Sequence, residues 1–211
     1  GNGGANDQLL GTSGNDALDV DATTFAGVTY VDFDVLDGNG GAADVLTATT
    51  VGVSEVGAGN RYRNFDSHSV VNLTSTAATA YVISGTAGNV SDGTTAFTDV
   101  ATLTGTGASY TFTGAGALVG AGTIADGAAG TLVVSGADDN HVVTLTNTTT
   151  GAGTVSVDLT GFSGITTLTA AVGDSLLGTA GDDVFNIGAG TVGSVGFSGF
   201  DTLDGNGGVN D

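Results

Sequence analysis

The chain has 211 residues and a formal net charge of −20, with 22 acidic residues against two basic ones. Such a chain lacks the basic surface that replaces the counterions of nucleic acid, and the same deficit disfavours an anionic membrane surface. It has no cysteine and no stretch typical of a membrane-spanning segment. We therefore expect no nucleic-acid partner, no membrane insertion and no disulfide framework.

The composition indicates the fold class. Glycine accounts for 39 residues and proline for none, while Thr and Val dominate the remainder. β-branched residues and frequent glycines disfavour helices, and apolar residues that recur at set spacings disfavour disorder. The sequence predicts an all-β chain of short strands.

Two blocks of the chain repeat each other. Residues 7–44 align without a gap with residues 174–211, and 19 of the 38 positions are identical. The opening GNGGAND also matches the ends of both blocks, so we expect a longer repetitive array. We divide the chain into a first block (1–44), a spacer (45–173) and a second block (174–211).

Each block begins with a nine-residue motif, GTSGNDALD at 11–19 and GTAGDDVFN at 178–186. The glycines permit a tight turn that presents backbone carbonyls and one carboxylate, Asp16 or Asp183. Because Ca²⁺ takes about six to eight oxygens, one such turn supplies only part of a shell. The LDGNGG turns that close the blocks are the candidate second halves. The alternative is that Asp-Gly and Asn-Gly here only mark hairpin turns.

These motifs resemble the RTX (hemolysin-type) calcium-binding repeats. The resemblance implies a parallel β-roll or β-solenoid whose Gly/Asp-rich turns bind Ca²⁺, in proteins exported by type I secretion. The Thr/Ala/Gly/Val-rich background is more similar to surface-layer proteins and large adhesins than to toxins, which implies an extracellular or bacterial cell-surface location. Unlike a standard array, about twenty residues separate the two turns of each block.

Sixteen residues of the turns are candidate metal ligands, eight in each block. They are Asp7, Gly11, Ser13, Asn15, Asp16, Asp37, Asn39 and Asp44 in the first block, and Asp174, Gly178, Ala180, Asp182, Asp183, Asp204, Asn206 and Asp211 in the second.

The spacer contains weaker copies of the same pattern. FTDVATL (97–103) and FSGITTL (162–168) share the aromatic and leucine positions that precede the second turn of each block. We interpret the spacer as further turns of the same solenoid in which Thr replaces the ligand carboxylates. Short alternating strands are predicted at 81–83, 131–134, 142–145 and 155–159. The alternative is a β-sandwich spacer domain flanked by RTX-like blocks.

The segment 55–68 differs in composition, because it holds the one Glu and both Arg residues. We expect a surface loop with local ion pairs, and the alternative is a contact surface for an acidic partner, a sister subunit or a glycan. His68 and His141 have no ligand-spaced companions, so we expect surface or ladder residues instead of metal ligands.

No catalytic motif is present, so we expect no enzyme. The sequence favours an extracellular, calcium-stabilised structural repeat protein of a surface layer, filament or adhesin stalk. The alternative is an accessory secretion and folding module of an exported enzyme or toxin. The expected partners are further copies of the chain, as a homopolymer or as tandem repeats, and a surface glycan or lipopolysaccharide. In a calcium-poor cytosol we expect the charge to keep the chain unfolded, and external Ca²⁺ to couple binding to folding.

Overall fold

The computed structural model describes residues 6–53, 61–75, 79–134, 140–156 and 158–210. These residues form short strands joined by turns and bends, so the prediction of an all-β chain is confirmed. Within them there is no helix that could span a membrane.

Most strands are only two to five residues long, as expected where glycine interrupts the sequence so often. They are β1 (Gln8–Leu10), β2 (Ala17–Asp19), β3 (Thr24–Phe25), β4 (Val28–Thr29), β5 (Val35–Asp37), β6 (Val45–Ala48), β7 (Tyr62–Arg63), β8 (Ser67–Val70), β9 (Asn72–Thr74), β10 (Ala80–Ser84), β11 (Val90–Ser91), β12 (Ala96–Phe97), β13 (Thr102–Gly105), β14 (Ser109–Thr113), β15 (Thr123–Val134), β16 (Val142–Asn147), β17 (Ala152–Val155), β18 (Leu159–Thr169), β19 (Ser175–Leu177), β20 (Phe185–Asn186), β21 (Thr191–Val192), β22 (Val195–Ser198) and β23 (Thr202–Asp204).

Parallel pairing joins strands that lie far apart in the chain. At the first block β5 lies between β1 and β7 of the spacer, and β6, which follows the block, lies between β2 and β8. The register places Leu9, Leu36 and Tyr62 opposite one another, so their apolar side chains stack on one face. Leu36, in the middle of this stack, is 0% exposed.

The long strands β15 and β18 connect two such stacks in the spacer. The first part of β15 pairs in parallel with β13, and its last part pairs in parallel with β14. β18 then pairs in parallel with both parts of β15, with register shifts between Ala125 and Thr131. Ile124 and Leu132 are both buried, since each lies in the interior of one of the two stacks.

Antiparallel hairpins interrupt the parallel stacks, so a uniformly parallel arrangement is wrong. Each block carries the same three-stranded hairpin, β2–β3–β4 in the first and β20–β21–β22 in the second. The spacer has two more, β10–β11–β12 and β16–β17–β18. The strand predicted at 155–159 is wrong for Ser156 and Asp158, which lie in turns, and residue 157 lies outside the described residues.

The spacer strands continue the stacks of both blocks. β6 and β7 pair in parallel with β2 and β5 of the first block, and β16 pairs in parallel with β19 of the second. Within the spacer β10 pairs in parallel with β14. An immunoglobulin-type sandwich has antiparallel sheets, so these parallel pairs do not match that alternative.

The turn at Gly151 packs closely against the backbone of β18. Gly151 has a φ of +60°, and a Cβ at this position would collide with the backbone oxygen of Ile165. Gly93 has a φ of +89° with open space around it. A left-handed backbone alone costs a non-glycine residue about 1–2 kcal/mol. We therefore expect Gly151→Ala to lower the free energy of unfolding, measured in urea, by clearly more than Gly93→Ala; equal losses would contradict this packing.

Candidate functional site

The two turns of the first block lie against each other. Gly11 N donates to Asp37 O at 2.7 Å, and Val45 N donates to Asp16 O at 2.9 Å. The turn that begins at Gly11 is thus fixed against the turn that runs from Asp37 to Asp44. Two backbone segments that are distant in sequence therefore present their carbonyl oxygens and carboxylates to the same space.

The carboxylates of Asp16 and Asp44 point into this contact and accept backbone amides. Asp16 Oδ2 accepts Thr12 N at 2.6 Å, within its own turn. Asp44 Oδ1 accepts Asp16 N at 2.7 Å from the neighbouring turn, and Asp44 Oδ2 accepts Gly41 N at 3.1 Å. Asp44 is 0% exposed and Asp16 is also buried. The Asp16 side chain therefore fixes its own turn, and the Asp44 side chain joins the two turns.

Amide side chains add a second set of contacts between the same turns. Asn15 Oδ1 accepts the backbone amides of Ala42 and Ala43, both at 3.1 Å. Asn39 Nδ2 donates to Gly11 O at 3.1 Å in the opposite direction. Asn39 has a φ of 61°, a left-handed conformation that asparagine tolerates better than most residues.

The second block repeats this arrangement. Asn206 Nδ2 donates to Gly178 O at 3.0 Å, and Asp182 Oδ1 accepts Val209 N at 2.6 Å. Asp183 accepts Thr179 N at 2.5 Å, as Asp16 accepts Thr12 N. The hydrogen bond from the Asn210 side chain, with two backbone amides, lowers the pKa of Asp182.

The other candidate ligands are distributed more widely. Asp204 is exposed and its Oδ1 accepts Asn206 N at 2.8 Å, while Ser13 and Ala180 are exposed at the tips of their turns. Asp7 is half-buried and its backbone carbonyl accepts Asp34 N and Val35 N. Asp211 lies outside the described residues.

Asp37 is bound by a cation of the chain itself. Arg63 Nε donates to Asp37 Oδ2 at 2.8 Å, and Asn64 Nδ2 donates to Asp37 Oδ1 at 2.7 Å. Burial raises the pKa of Asp37, but the hydrogen bonds from Asn64, from the Asn39 amide and from Arg63 outweigh it and hold that pKa below its ordinary value. In this position the guanidinium occupies one oxygen of a predicted calcium ligand.

The prediction of a surface loop at 55–68 is therefore wrong for the part that the structure describes. Tyr62 and Phe65 are buried, and Phe65 packs on Phe25 with ring centroids 5.8 Å apart. The ion pair of Arg63 is not local, because it reaches Asp37 in another strand. Residues 54–60 lie outside the described residues.

His141 is neither a surface nor a ladder residue, which corrects the sequence prediction. It is 2% exposed and lies before β16. Its Nε2 lies 3.0 Å from Asp158 Oδ2, and its Nδ1 lies 3.2 Å from Asp174 Oδ1. Asp174, a candidate calcium ligand, thus contacts an imidazole.

His68 lies in the ladder of β8, but it is buried as well. Its Nδ1 lies 3.1 Å from Ala96 O, and its ring packs against Phe97. Burial lowers the pKa of His68.

Sequence reasoning missed a buried carboxylate in the spacer, Asp126. It accepts the backbone amides of Gly107, Ala108 and Ala128 and the hydroxyl of Tyr110, at 2.8–3.0 Å. Thr stands in the spacer turn at 104–107, and a carboxylate from outside the turn binds its backbone. The carboxylate comes from a later strand, and no motif in the turn itself marks it.

Oxygen atoms of both stacked turns surround Gly11 and Gly41. A Cβ on Gly11 would lie 2.5 Å from Asp16 Oδ2 and 2.7 Å from Gly38 O, and a Cβ on Gly41 would lie 2.5 Å from Gly14 O and 2.6 Å from Asp44 Oδ1. Carboxylate and carbonyl oxygens from two turns thus converge on both glycines. An all-oxygen donor set is the one that Ca²⁺ prefers, and only glycine leaves this space open.

Carboxylates alone do not complete such a site. Across the described ranges no group of three or more His, Cys, Asp or Glu side chains is placed to hold a metal ion. A bound Ca²⁺ would therefore take most of its ligands from backbone carbonyls. The donor chemistry of these turns fits Ca²⁺ on that condition.

Comparison of the chain with protein-family models, with curated proteins and with solved structures finds no match. The resemblance to RTX repeats therefore rests on the motifs, and the function must be inferred from the residues and their geometry.

Proposed function

We propose that this chain is a β-solenoid that serves as an extracellular structural protein, a component of a surface layer, a filament or an adhesin stalk. Its turns would bind Ca²⁺ and so stabilise the folded form. The observation that carries the proposal is the in-register parallel pairing between strands of successive turns, from β1 and β5 through to β19 and β23.

Stacking of this kind suits a load-bearing element. A single turn of the chain cannot bury its apolar face, but successive turns form one continuous core from small and medium side chains. The buried residues form a single cluster that extends from Leu18 to Val195. Such an element grows in length without any change in its cross-section, which is what a layer, filament or stalk requires.

Calcium has a physical role in this proposal. Asp16, Asp44 and Asp183 are buried in a chain whose net charge is −20. Self-repulsion of that size opposes compaction, and a divalent cation bound between turns would offset it. In a calcium-poor cytosol the chain would stay unfolded and exportable, and it would fold outside the cell, where calcium is abundant.

Removal of calcium is expected to unfold the chain or to lower its melting temperature strongly. A ligand at a hundredfold excess over its Kd stabilises the folded state by about 2.7 kcal/mol per site. Circular dichroism with Ca²⁺, with chelator and with Mg²⁺ measures the effect, and Mg²⁺ is expected to substitute poorly because it demands a smaller octahedral shell. A β spectrum and melting temperature that do not respond to the chelator would contradict a calcium role.

A pair of matched variants ties the response to the turns. Asp16→Asn and Asp92→Asn each remove one negative charge, but Asp92 lies outside the stacked turns and accepts amides from Thr94 and Thr95. We expect Asp16→Asn to raise the calcium concentration needed for folding and Asp92→Asn to leave it unchanged. Equal shifts would mean that Ca²⁺ acts only through the overall charge.

Electron microscopy of the folded chain distinguishes a structural role from an accessory one. A structural protein is expected to form filaments or sheets at high concentration with Ca²⁺, whereas an accessory secretion module would stay dispersed. Particles that stay dispersed at every calcium concentration would contradict the proposed structural role.

A further inference from the structure

Strands β1 and β23 each have one edge that no described strand covers. Among the described strands β1 pairs only with β5, and β23 pairs only with β19. An unpaired edge presents a row of backbone donors and acceptors that can take another strand.

The repeated sequence identifies what fits these edges. β5 is the counterpart of β23, and its second edge is covered by β7 in parallel. β19 is the counterpart of β1, and its second edge is covered by β16, also in parallel. The same sequence elements thus already accept a parallel strand on these edges inside this chain.

The central leucines are less buried in the strands with an open edge than in their counterparts with two covered edges. Leu36 of β5 and Leu176 of β19 are each 0% exposed, because a strand lies on both sides of them. Their counterparts Leu203 of β23 and Leu9 of β1 pack on the same core but are only partly buried. Each open edge therefore leaves part of a leucine side chain uncovered.

The direction of the backbone groups on β23 follows from one hydrogen bond. Asp204 O accepts Gly178 N at 2.7 Å, so this carbonyl points toward β19. In a trans peptide the next N–H points the opposite way, so Gly205 N–H faces outward. Alternation along the strand then turns the N–H and C=O of Leu203 outward as well.

The same reasoning applies to β1. Asp7 O accepts Asp34 N and Val35 N, so it points toward β5, and Gln8 N–H faces outward. Alternation turns the C=O of Gln8 and the N–H and C=O of Leu10 outward too.

We propose that β23 of one molecule pairs in parallel with β1 of a second copy of this chain, with Leu203 opposite Leu9. In this register Leu203 N donates to Gln8 O of the second copy, Leu10 N of the second copy donates to Leu203 O, and Gly205 N donates to Leu10 O. Every outward group named above except Gln8 N–H then meets a partner of the right kind, and the leucine stack continues across the contact. The proposal rests on the proposed structural role and specifies the surface through which copies assemble.

The contact joins two different surfaces, so it is head-to-tail and leaves an open edge at each end. Heterologous contacts that do not close into a ring produce linear filaments. Asp7 lies next to β1, and Asp201 and Asp204 lie at β23, so the facing surfaces repel each other at low ionic strength. Added Ca²⁺ or salt is therefore expected to promote the association.

Two proline variants test the contact because each blocks one edge. Leu203→Pro removes the outward N–H of β23, and Leu10→Pro removes that of β1; neither N–H bonds within its own stack. Light scattering with size exclusion should show wild-type mass rising with concentration above the monomer mass of 20.2 kDa. Each variant alone should stay monomeric, and an equimolar mixture should stop at twice that mass, because each variant retains the edge that the other lacks.

The matched control is Leu10→Ala, which keeps the N–H and alters a side chain that is 55% exposed. It should associate like the wild type. Three outcomes would each overturn the proposal. A proline variant could associate on its own, or the wild type could stay monomeric with Ca²⁺. The mixture could also stay monomeric although both variants give a folded circular dichroism spectrum. If both proline variants assemble as the wild type does, the structural role stands and only this contact surface is contradicted. Folding that does not depend on calcium would contradict the calcium role alone.

Discussion

Replacement of His141 by alanine is expected to lower the free energy of unfolding by about 3–5 kcal/mol, because it leaves two buried carboxylates without the ring that lies between them. The imidazole lies between Asp158 and Asp174, and all three side chains are almost entirely buried. Without the ring, two buried carboxylates face each other in an acidic chain with no side chain between them. Urea unfolding followed by circular dichroism measures the loss.

Two comparisons separate the effect of the two buried carboxylates from a simple loss of packing. His68→Ala removes an equally large buried ring, but that ring contacts a carbonyl and an aromatic side chain, so we expect a smaller loss. Asp158→Leu should cost much less in a His141→Leu background than in the wild type, because the pair is then replaced by apolar groups. Additive losses in this double-mutant cycle would mean that the contact between His141 and Asp158 contributes nothing of its own.

The repeated blocks explain which parts of the fold the sequence could predict. Leucine, glycine and aspartate recur there at fixed offsets, and a recurring offset specifies both a turn and a side chain on one face of a strand. Asp16 and Leu18 could therefore be assigned to a turn and to the core from their spacing alone, and both are buried.

The missed features depend on contacts between residues that no local pattern connects. Asp126 binds a turn that lies 18 and 19 residues earlier in the chain, and His141 binds a carboxylate 33 residues later. The antiparallel hairpins were missed for a related reason. Their strands of two residues, such as Thr24–Phe25, are too short for an alternating pattern to be recognised.

The carboxylates of this chain have two roles that the composition alone does not separate. Asp16, Asp44 and Asp126 are buried and accept backbone amides, so their hydrogen bonds are part of the folded structure. A carboxylate can accept about four hydrogen bonds, and Asp44 uses one on each oxygen for the amides of Asp16 and Gly41. The same oxygens can therefore hold a turn in place and contribute to a calcium shell.

Replacement of Asp126 by alanine is expected to destabilise the chain by at least about 3 kcal/mol, because a buried donor left without an acceptor costs about 1–3 kcal/mol. Four donors converge on this carboxylate, from Gly107, Ala108, Ala128 and the Tyr110 hydroxyl. Tyr110 is 0% exposed, so water does not reach its hydroxyl as a substitute. Urea unfolding at neutral pH measures the loss, and near-wild-type stability would contradict this account.

The matched control and the pH dependence distinguish the hydrogen bonds of Asp126 from a general charge effect. Asp21→Ala removes a carboxylate that accepts amides from Thr49, Thr50 and Val51 at the surface, where water replaces it, so the loss should be small. Burial raises the pKa of Asp126, but the amides and the Tyr110 hydroxyl outweigh it and lower that pKa below its ordinary value. A lowered folded-state pKa gives stability that is complete above the unfolded pKa of about 4 and is lost as the pH falls through the folded value. The difference in stability between wild type and Asp126→Ala should therefore be largest at neutral pH and shrink in acid, whereas a difference that is constant with pH would show that the carboxylate charge does not matter.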